Sequence, residues 1–316
     1  VVVADLESLR GPLTGYCYRI LGASGEVEDA VQETMLRAFR ALDSYAPDRA
    51  AFSTWVHTIA TNVCLDMLRG ARRRALPWDL GPASRSQDIG RPLAPEQWVE
   101  PLADSRLVGT ADPATLALRH ETLRLAFVAA LQWLPARQRV VLVLRDVLGF
   151  TATESAEIMS VSVPAANSAL QRARATLEQH RPSQADAPDV QDIAQRELLQ
   201  RYVHAFHTHD VRTLLAVLAE DARTGMPPFP WWLDSATRIA EAMVSTDACA
   251  EDRLVPGEPA NGCWTLGQYR PDGNGTLVPF ALLVVECRGG RISEIVTFLG
   301  RGDRFEEFGL PNNLDI

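Results

Sequence analysis

Apolar residues recur at helical spacing through the first seventy positions. Leu6, Leu9, Leu13, Tyr16, Cys17, Ile20 and Leu21 form one run, which Gly22 stops. Val27, Ala30, Val31, Met35, Ala38, Phe39 and Leu42 form a second stripe, predicting a helix over residues 26–42. Its opposite face shows Asp29, Gln32, Glu33 and Arg37. After a loop with Pro47, FSTWVHTIATNVCLDMLRGARRR predicts a third helix, with Ser53 as its cap and Trp55, Ile59, Val63 and Leu68 toward the core. It ends in Arg69, Arg72, Arg73 and Arg74. A cationic helix end complements the helix dipole. Four arginines within six residues exceed that need and point to phosphate contact.

The pattern then breaks. Between residues 75 and 113 Pro and Gly recur and periodicity is lost, over a length unsuited to a loop inside a compact domain. This reads as a linker, with Trp78 and Trp98 available to pin it to a surface. Helices resume over 112–134 and 136–148, broken at Pro135. Residues 154–177, ESAEIMSVSVPAANSALQRARATL, read as two short helices joined by a turn at Ser160, Val161 and Ser162. Ser162 is an N-cap, and Pro164 falls in the first turn, where a missing N–H is harmless. The second helix exposes Asn167, Gln171, Arg172 and Arg174 beside a buried row of Ala166, Leu170 and Ala173. That face suits the major groove, where Arg bonds guanine and Asn or Gln bonds adenine. It equally describes a helical hairpin with a solvated side.

Beyond a second linker at 182–189 the class changes. Helical runs at 191–209 and 211–219 precede strand-like CWTLGQYR, LVPFALLVVECR and ISEIVTFLG, with hairpin turns at PDGNG and RGGR. Helices followed by hairpin-linked strands predict an α+β domain. Its aromatic set is Tyr202, Phe206, Met226 (as an apolar companion), Phe229, Trp231, Trp232, Trp264, Phe280 and Phe298. Such a set builds either a core or a pocket. Because neighbours along an extended segment point opposite ways, one of Trp231 and Trp232 is expected outside the core. The material for an acid–base pair is His204, His207, His209, Asp210 and Glu286, and Glu286 shares a strand face with Leu282 and Val284.

The 316 residues suffice for two or three domains. No apolar run is long enough to span a bilayer, no signal peptide opens the sequence, and the five scattered cysteines lack metal-ligand spacing. A cytoplasmic protein with reduced thiols is expected. The net charge of −9 argues against nucleic acid until its distribution is read. Residues 1–75 carry nine acidic and nine basic groups, 114–181 carry eight against five acids, and 190–316 carry eleven against eighteen. The negative charge therefore sits mostly in the last third and the connectors, and a basic face remains open upstream.

Together these segments are recognisable. VEDAVQETMLRAFRAL with FSTWVHTIATNVCLDMLRGARRR resembles region 2 of extracytoplasmic-function (ECF) sigma factors, and LPARQRVVLVLRDVLGFTATESAEIMSVSVPAANSALQRARATL resembles region 4. The residues after 190, including MPPFPWW and FGLP, are similar to the SnoaL-like extension of some members. The resemblance implies two all-α sigma domains, the second a helix-turn-helix, followed by an α+β SnoaL-like cone. The expected layout is 1–75 for region 2, 76–113 for the linker, 114–181 for region 4, 182–189 for a hinge and 190–316 for the regulatory domain.

The resemblance further implies that Asp29, Gln32, Glu33 and Arg37 dock on core RNA polymerase. It places Asn62, Asp66, Arg69, Arg72, Arg73 and Arg74 on the promoter −10 element, and Ser162, Asn167, Ser168, Gln171, Arg172 and Arg174 on the −35 element. Thr58 stands where a basic residue is common and His57 where an aromatic is common. In the cone, Tyr202, Phe206, Met226, Trp231, Trp232, Trp264 and Glu286 are the candidate lining of a small-molecule pocket. The expectation is a promoter-specific sigma factor regulated by its own third domain, without catalytic residues, cofactor, metal, membrane attachment or a separate obligatory anti-sigma protein. The alternative is a small-molecule sensor or SnoaL-like enzyme, of cyclase or isomerase type, carrying a degenerate sigma part.

Overall fold

The computed structural model describes residues 2–85, 88–107, 121–180, 185–186, 192–244 and 249–315. The expected hinge, apart from residues 185 and 186, and the first residues of the expected region 4 lie outside this set. The chain divides into two compact units. One comprises Val1–Arg74, Val99–Leu102 and Arg106–Pro182; the other comprises Ala75–Trp98, Ala103–Ser105 and Ser183–Ile316.

The first unit is helical. Its described helices are α1 (Val2–Ser8), α2 (Arg10–Leu21), α3 (Ser24–Arg40), α4 (Phe52–Met67), α5 (Leu125–Leu131), α6 (Ala136–Leu142), α7 (Ala152–Ile158) and α8 (Val163–Gln179). The opening apolar run is two helices rather than one, because Pro12 has no N–H to return to the carbonyl of Ser8. Gly22 then caps α2 in the left-handed region and donates to the Tyr18 carbonyl at 2.8 Å. Along α3 the buried stripe is Val27, Ala30, Val31, Thr34 and Ala38, while Phe39, expected inward, is 57% exposed. Helix α4 starts at Phe52 with no side-chain cap, so Ser53 does not cap it; the Ser53 carbonyl instead bonds His57 Nδ1 at 2.8 Å. Trp55, Ile59 and Leu68, expected in the core, are half-buried, and Trp55 clusters with Tyr45 and Phe52.

The two ends of this unit pack on each other. His57 stands edge-on to both Tyr16, at 5.2 Å between ring centroids, and Phe150, at 5.0 Å. Arg19 donates to Thr122 Oγ1 at 2.8 Å. Arg139, buried on α6, donates to the carbonyl of Ile20 in the last turn of α2, to Gln132 Oε1 at 2.6 Å and to the Leu134 carbonyl at 3.2 Å. Orphan carbonyls at a helix C-terminus are thereby satisfied by a cation, which the helix dipole also favours. Burial and the nearby Arg74 pull Arg139 down to about 10, so it remains charged at neutral pH. The helix-turn-helix follows, α7 opening on a capping box between Thr151 and Glu154, and α8 on Ser162, whose hydroxyl accepts from Ala165 N at 3.3 Å.

The second unit is a curved sheet with helices on one face. Helices α9 (Ile193–Thr208) and α10 (Val211–Val217) lead into β1 (Leu218–Gly225) and β2 (Trp232–Leu233), then α11 (Ala236–Val244). Strands β3 (Arg253–Ala260), β4 (Cys263–Pro271), β5 (Thr276–Arg288) and β6 (Arg291–Leu299) come next, with β7 (Leu314–Asp315) paired to β5. The order β2-β1-β6-β5-β4-β3 is antiparallel except for the parallel β1–β6 pair. Alternation along β5 sends Leu283 and Val285 into a core with Tyr202, Phe206, Leu214 and Ile239, and sends Leu282 to a second cluster with Tyr269, Phe305 and Phe308.

Residues 76–98 of the expected linker belong to this unit and are held to it by hydrogen bonds, whereas Val99–Leu102 belong to the helical one. Ser84 N donates to the Trp232 carbonyl at 2.8 Å, Leu93 N to the Pro228 carbonyl at 2.8 Å, and Trp232 Nε1 to the Gly81 carbonyl at 3.0 Å. Trp78 lies edge-on to Trp232, and Trp98 is buried.

Two outcomes test this packing. Replacing Arg139 by Met leaves the Ile20 and Leu134 carbonyls without their donor, and should lower unfolding free energy by about 3 kcal/mol. Lys at 139 should not restore it, lacking the planar fork; urea melts that match wild type would remove Arg139 from this role. Burial lowers the pKa of His57, against the opposing pull of its Ser53 bond. The folded state therefore binds fewer protons than the unfolded one. The stability of the neutral ring is complete above about pH 6.5 and is lost as pH falls below it. Melting temperature should drop more between about pH 7.5 and 5.5 in wild type than in His57→Phe, and equal drops would contradict this.

Candidate promoter and polymerase surfaces

Helix α8 separates its faces cleanly. Ala166, Leu170 and Ala173 are buried, whereas Ser162, Asn167, Ser168, Gln171, Arg172 and Arg174 are all exposed. The small inward residues let the helix sit close to α6, while the outward side carries amide and guanidinium groups beside the small exposed Ala165 and Ala175. Arg174 differs from its neighbours. It forms a two-pronged pair with Asp146, at 2.8 and 2.6 Å, which fixes the guanidinium on its own domain.

The arginine cluster after α4 is less uniform than its spacing suggests. The helix stops at Met67, so Arg72, Arg73 and Arg74 lie on extended chain beyond the left-handed Gly70. Asn62, Asp66, Arg69 and Arg72 are exposed, and Arg69 pairs with Asp66 at 3.2 Å. Arg74 is buried and bonds Glu26 at 2.5 Å. The guanidinium of Arg73 lies 3.6 Å from the centroid of the Trp133 ring. Two of the four arginines expected on DNA are thus turned into the unit in this conformation.

On α3, Asp29, Gln32 and Arg37 are exposed, and Glu33 pairs with Arg37 at 2.6 Å. Leu36 and Phe39 are exposed on the same surface, 40% and 57%. The sequence reading places Phe39 in the buried stripe and assigns Leu36 to neither face. An i, i+3, i+7 count from Gln32 puts Phe39 on the polar side.

In the second unit the expected pocket residues do not converge. Tyr202, Phe206 and Trp264 lie in the helix-covered core, with Trp231 and Phe280 packed against it. Met226 is half-buried, and Trp232 faces Trp78 instead. Glu286 is buried on the strand face opposite Leu283 and Val285, paired in register with Glu294, so it cannot share a site with Tyr202. Asp210 caps α10 through Thr213, and His207 Nε2 accepts from Leu254 N at 2.9 Å. Among the described residues no Asp–His or Glu–His hydrogen bond joins His204, His207 or His209 to a carboxylate.

A polar network unforeseen in the sequence occupies the helix-covered side. Arg270 bonds Asp252 at 2.9 and 2.8 Å and lies 3.5 Å over Phe280, while Gln268 Nε2 reaches Asp252 at 2.5 Å and the Cys249 sulfur at 3.6 Å. Burial and Asp252 push the Cys249 thiol up. The available signal was the period-two run Trp264, Leu266, Gln268, Arg270 along β4.

Residues 6–74 match the Sigma-70 region 2 family, and residues 124–177 match the Sigma-70, region 4 family. Those two modules on one chain define a sigma factor, the class of protein that binds core RNA polymerase and promoter DNA. The chain is 40% identical over 323 residues to ECF RNA polymerase sigma factor SigG of Mycobacterium tuberculosis, covering 98% of this chain and 84% of that protein. It therefore belongs to the ECF RNA polymerase sigma factors, which act in promoter-specific transcription initiation. The fold is similar to the crystal structure of M. tuberculosis extracytoplasmic function sigma factor SigJ, with TM-score 0.61 and 22% identity, over 98% of this chain and 100% of that one. The two helical modules are sigma domains, and the C-terminal part is the sheet-containing domain described above.

A co-crystal structure of the sigma factor RpoE with the anti-sigma factor NepR from Bartonella quintana also aligns, over 56% of this chain and 94% of that one, at TM-score 0.37 and 22% identity. No helix among the described residues is long and apolar enough to cross a membrane.

Proposed function

We propose that α8 reads the −35 element through Asn167, Ser168, Gln171 and Arg172. In this reading Asn62, Asp66, Arg69 and Arg72 to Arg74 engage the −10 element, and α3 docks on core polymerase through Asp29, Gln32, Glu33, Leu36, Arg37 and Phe39. The observation that carries it is the sorting of α8. Asn167, Ser168, Gln171 and Arg172, which can bond base edges, are all exposed, while Ala166, Leu170 and Ala173 are buried. The exposed Phe39 supports the docking assignment, because an uncovered aromatic among charged neighbours is the composition of an interface centre. Arg174, already paired with Asp146, acts by holding α8 in place. Ser162 serves as its cap.

The C-terminal SnoaL-like domain regulates these activities. Its support is the charge distribution, seven more acids than arginines over residues 190–316. That surplus is of the sign that disfavours DNA near the sigma domains.

Arg172→Ala and Gln171→Ala should each weaken binding of the polymerase holoenzyme to its −35 sequence by roughly tenfold to a hundredfold, with docking on core unchanged. Phe39→Ser should do the reverse, weakening core binding by about thirtyfold. Equal affinity of all three variants for both partners would refute the assignments. Ending the chain near residue 190 should raise promoter affinity in the presence of core. If affinity is unchanged the inhibitory role is wrong, and if it is lost the domain supports activity instead.

A further inference from the structure

Arg73 belongs to the proposed −10 cluster, yet its guanidinium rests on Trp133, which precedes α6 in the other sigma domain. The indole of Trp133 also stacks on the His180 ring, with centroids 4.2 Å apart and planes 5° from parallel. His180 is the residue that ends α8. One tryptophan thus ties the chain that would grip −10 DNA to the end of the helix that would read −35 DNA.

That arrangement is incompatible with simultaneous promoter contact. The two elements lie about 25 base pairs apart, or roughly 85 Å at 3.4 Å per base pair. A compact unit of roughly 150 residues has a diameter near 40 Å. The two sigma domains must separate before both elements can be held. On separation Arg73 leaves the indole and becomes available to single-stranded DNA, which is bound by basic tracks and stacking surfaces.

We propose that the Arg73–Trp133–His180 stack is a latch that holds region 2 closed on region 4 and masks Arg73 from DNA until the domains part. This rests on the −10 assignment above. Arg74, bonded to Glu26, and Arg139, bonded to Ile20, stabilise the same closed packing from within. The stack is the part of it that removes a DNA-binding group.

The test uses the full chain and a fluorescent single-stranded DNA of mixed sequence, about twelve nucleotides long. Trp133→Ala and His180→Ala should each bind it several-fold more tightly than wild type, up to about tenfold for Trp133→Ala. X-ray scattering should show a larger radius of gyration for both. Trp133→Phe, which keeps a ring beneath the guanidinium, should stay near wild type. Adding Arg73→Gln to Trp133→Ala should abolish the gain. His180→Ala guards against a folding defect, since it changes the half-buried residue that caps the end of α8 and none of the buried side chains within either sigma domain. If Arg72→Gln weakens DNA binding while Trp133→Ala and His180→Ala change neither affinity nor size, the latch is overturned and the −10 assignment stands. If Arg72→Gln is also without effect, the −10 assignment has failed and the latch falls with it.

Discussion

The helical unit is organised around a buried cation, Arg139, which no carboxylate among the described residues neutralises. Arg139 is held instead by carbonyl oxygens, those of Ile20 and Leu134 among them, and by the side chain of Gln132. A charge in such a place depends on those partners, because removal of any of them leaves polar groups in a low-dielectric interior. Its partners come from α2 and from the turn after α5, so completing the set requires both sigma domains at once. Gly22, beside Ile20, contributes by absence. A Cβ there would meet the Gln132 amide at 3.0 Å, and the left-handed backbone would be strained besides.

The same logic of small residues and fixed charges shapes the helix-turn-helix. Ala166 and Ala173 face inward from α8, so the helix approaches its support closely and its outward side stands clear. Asp146 holds Arg174 from the end of α6's extension, where Val143–Val147 adopts a π-helical turn. Such a turn widens the helix by one residue and rotates the chain beyond it. Asn167, Ser168, Gln171 and Arg172, the residues proposed above to read the −35 element, share this platform, and among the described residues none of them forms an ion pair.

The helices were largely legible because their apolar stripes are long and their stops are chemical, as with Gly22, Pro135 and Ser162. Strands β4, β5 and β6 were equally plain from their apolar content and from the turns between them. Strands β1 and β3 were not. LAEDARTG has three charged residues among its eight, and RLVPGEPA contains two prolines and a glycine, tolerable since β3 is the sheet's edge. The site residues failed in a more instructive way. Sequence shows which residues can bond DNA but not which are already bonded to protein. Arg73, Arg74 and Arg174 are identical to Arg72 and Arg172 in chemistry, and differ only in having Trp133, Glu26 and Asp146 within reach. Glu286 misled for a related reason. Its burial was correctly sensed, but the face that the helices cover is fixed by packing rather than by the strand's own pattern.

Closure and promoter engagement draw on overlapping groups, whereas closure and polymerase docking do not. Arg73 and Arg74 are engaged inside the helical unit, but Asp29, Gln32, Leu36 and Phe39 remain exposed on α3 while it is closed. Under the assignments proposed above, docking is therefore free to precede opening. A docked polymerase favours the open form only to the extent that it binds that form more tightly, and a shift from 1:99 to 99:1 requires about 5.5 kcal/mol of difference. The exposed α3 face alone cannot supply that difference, since it is presented alike in both forms. The discriminating contacts must lie on surfaces that separation uncovers, including the ring of Trp133 and the chain from Arg72 to Arg74. On those assignments docking through α3 would come first, the newly uncovered surfaces would drive opening, and both promoter elements would be captured only then.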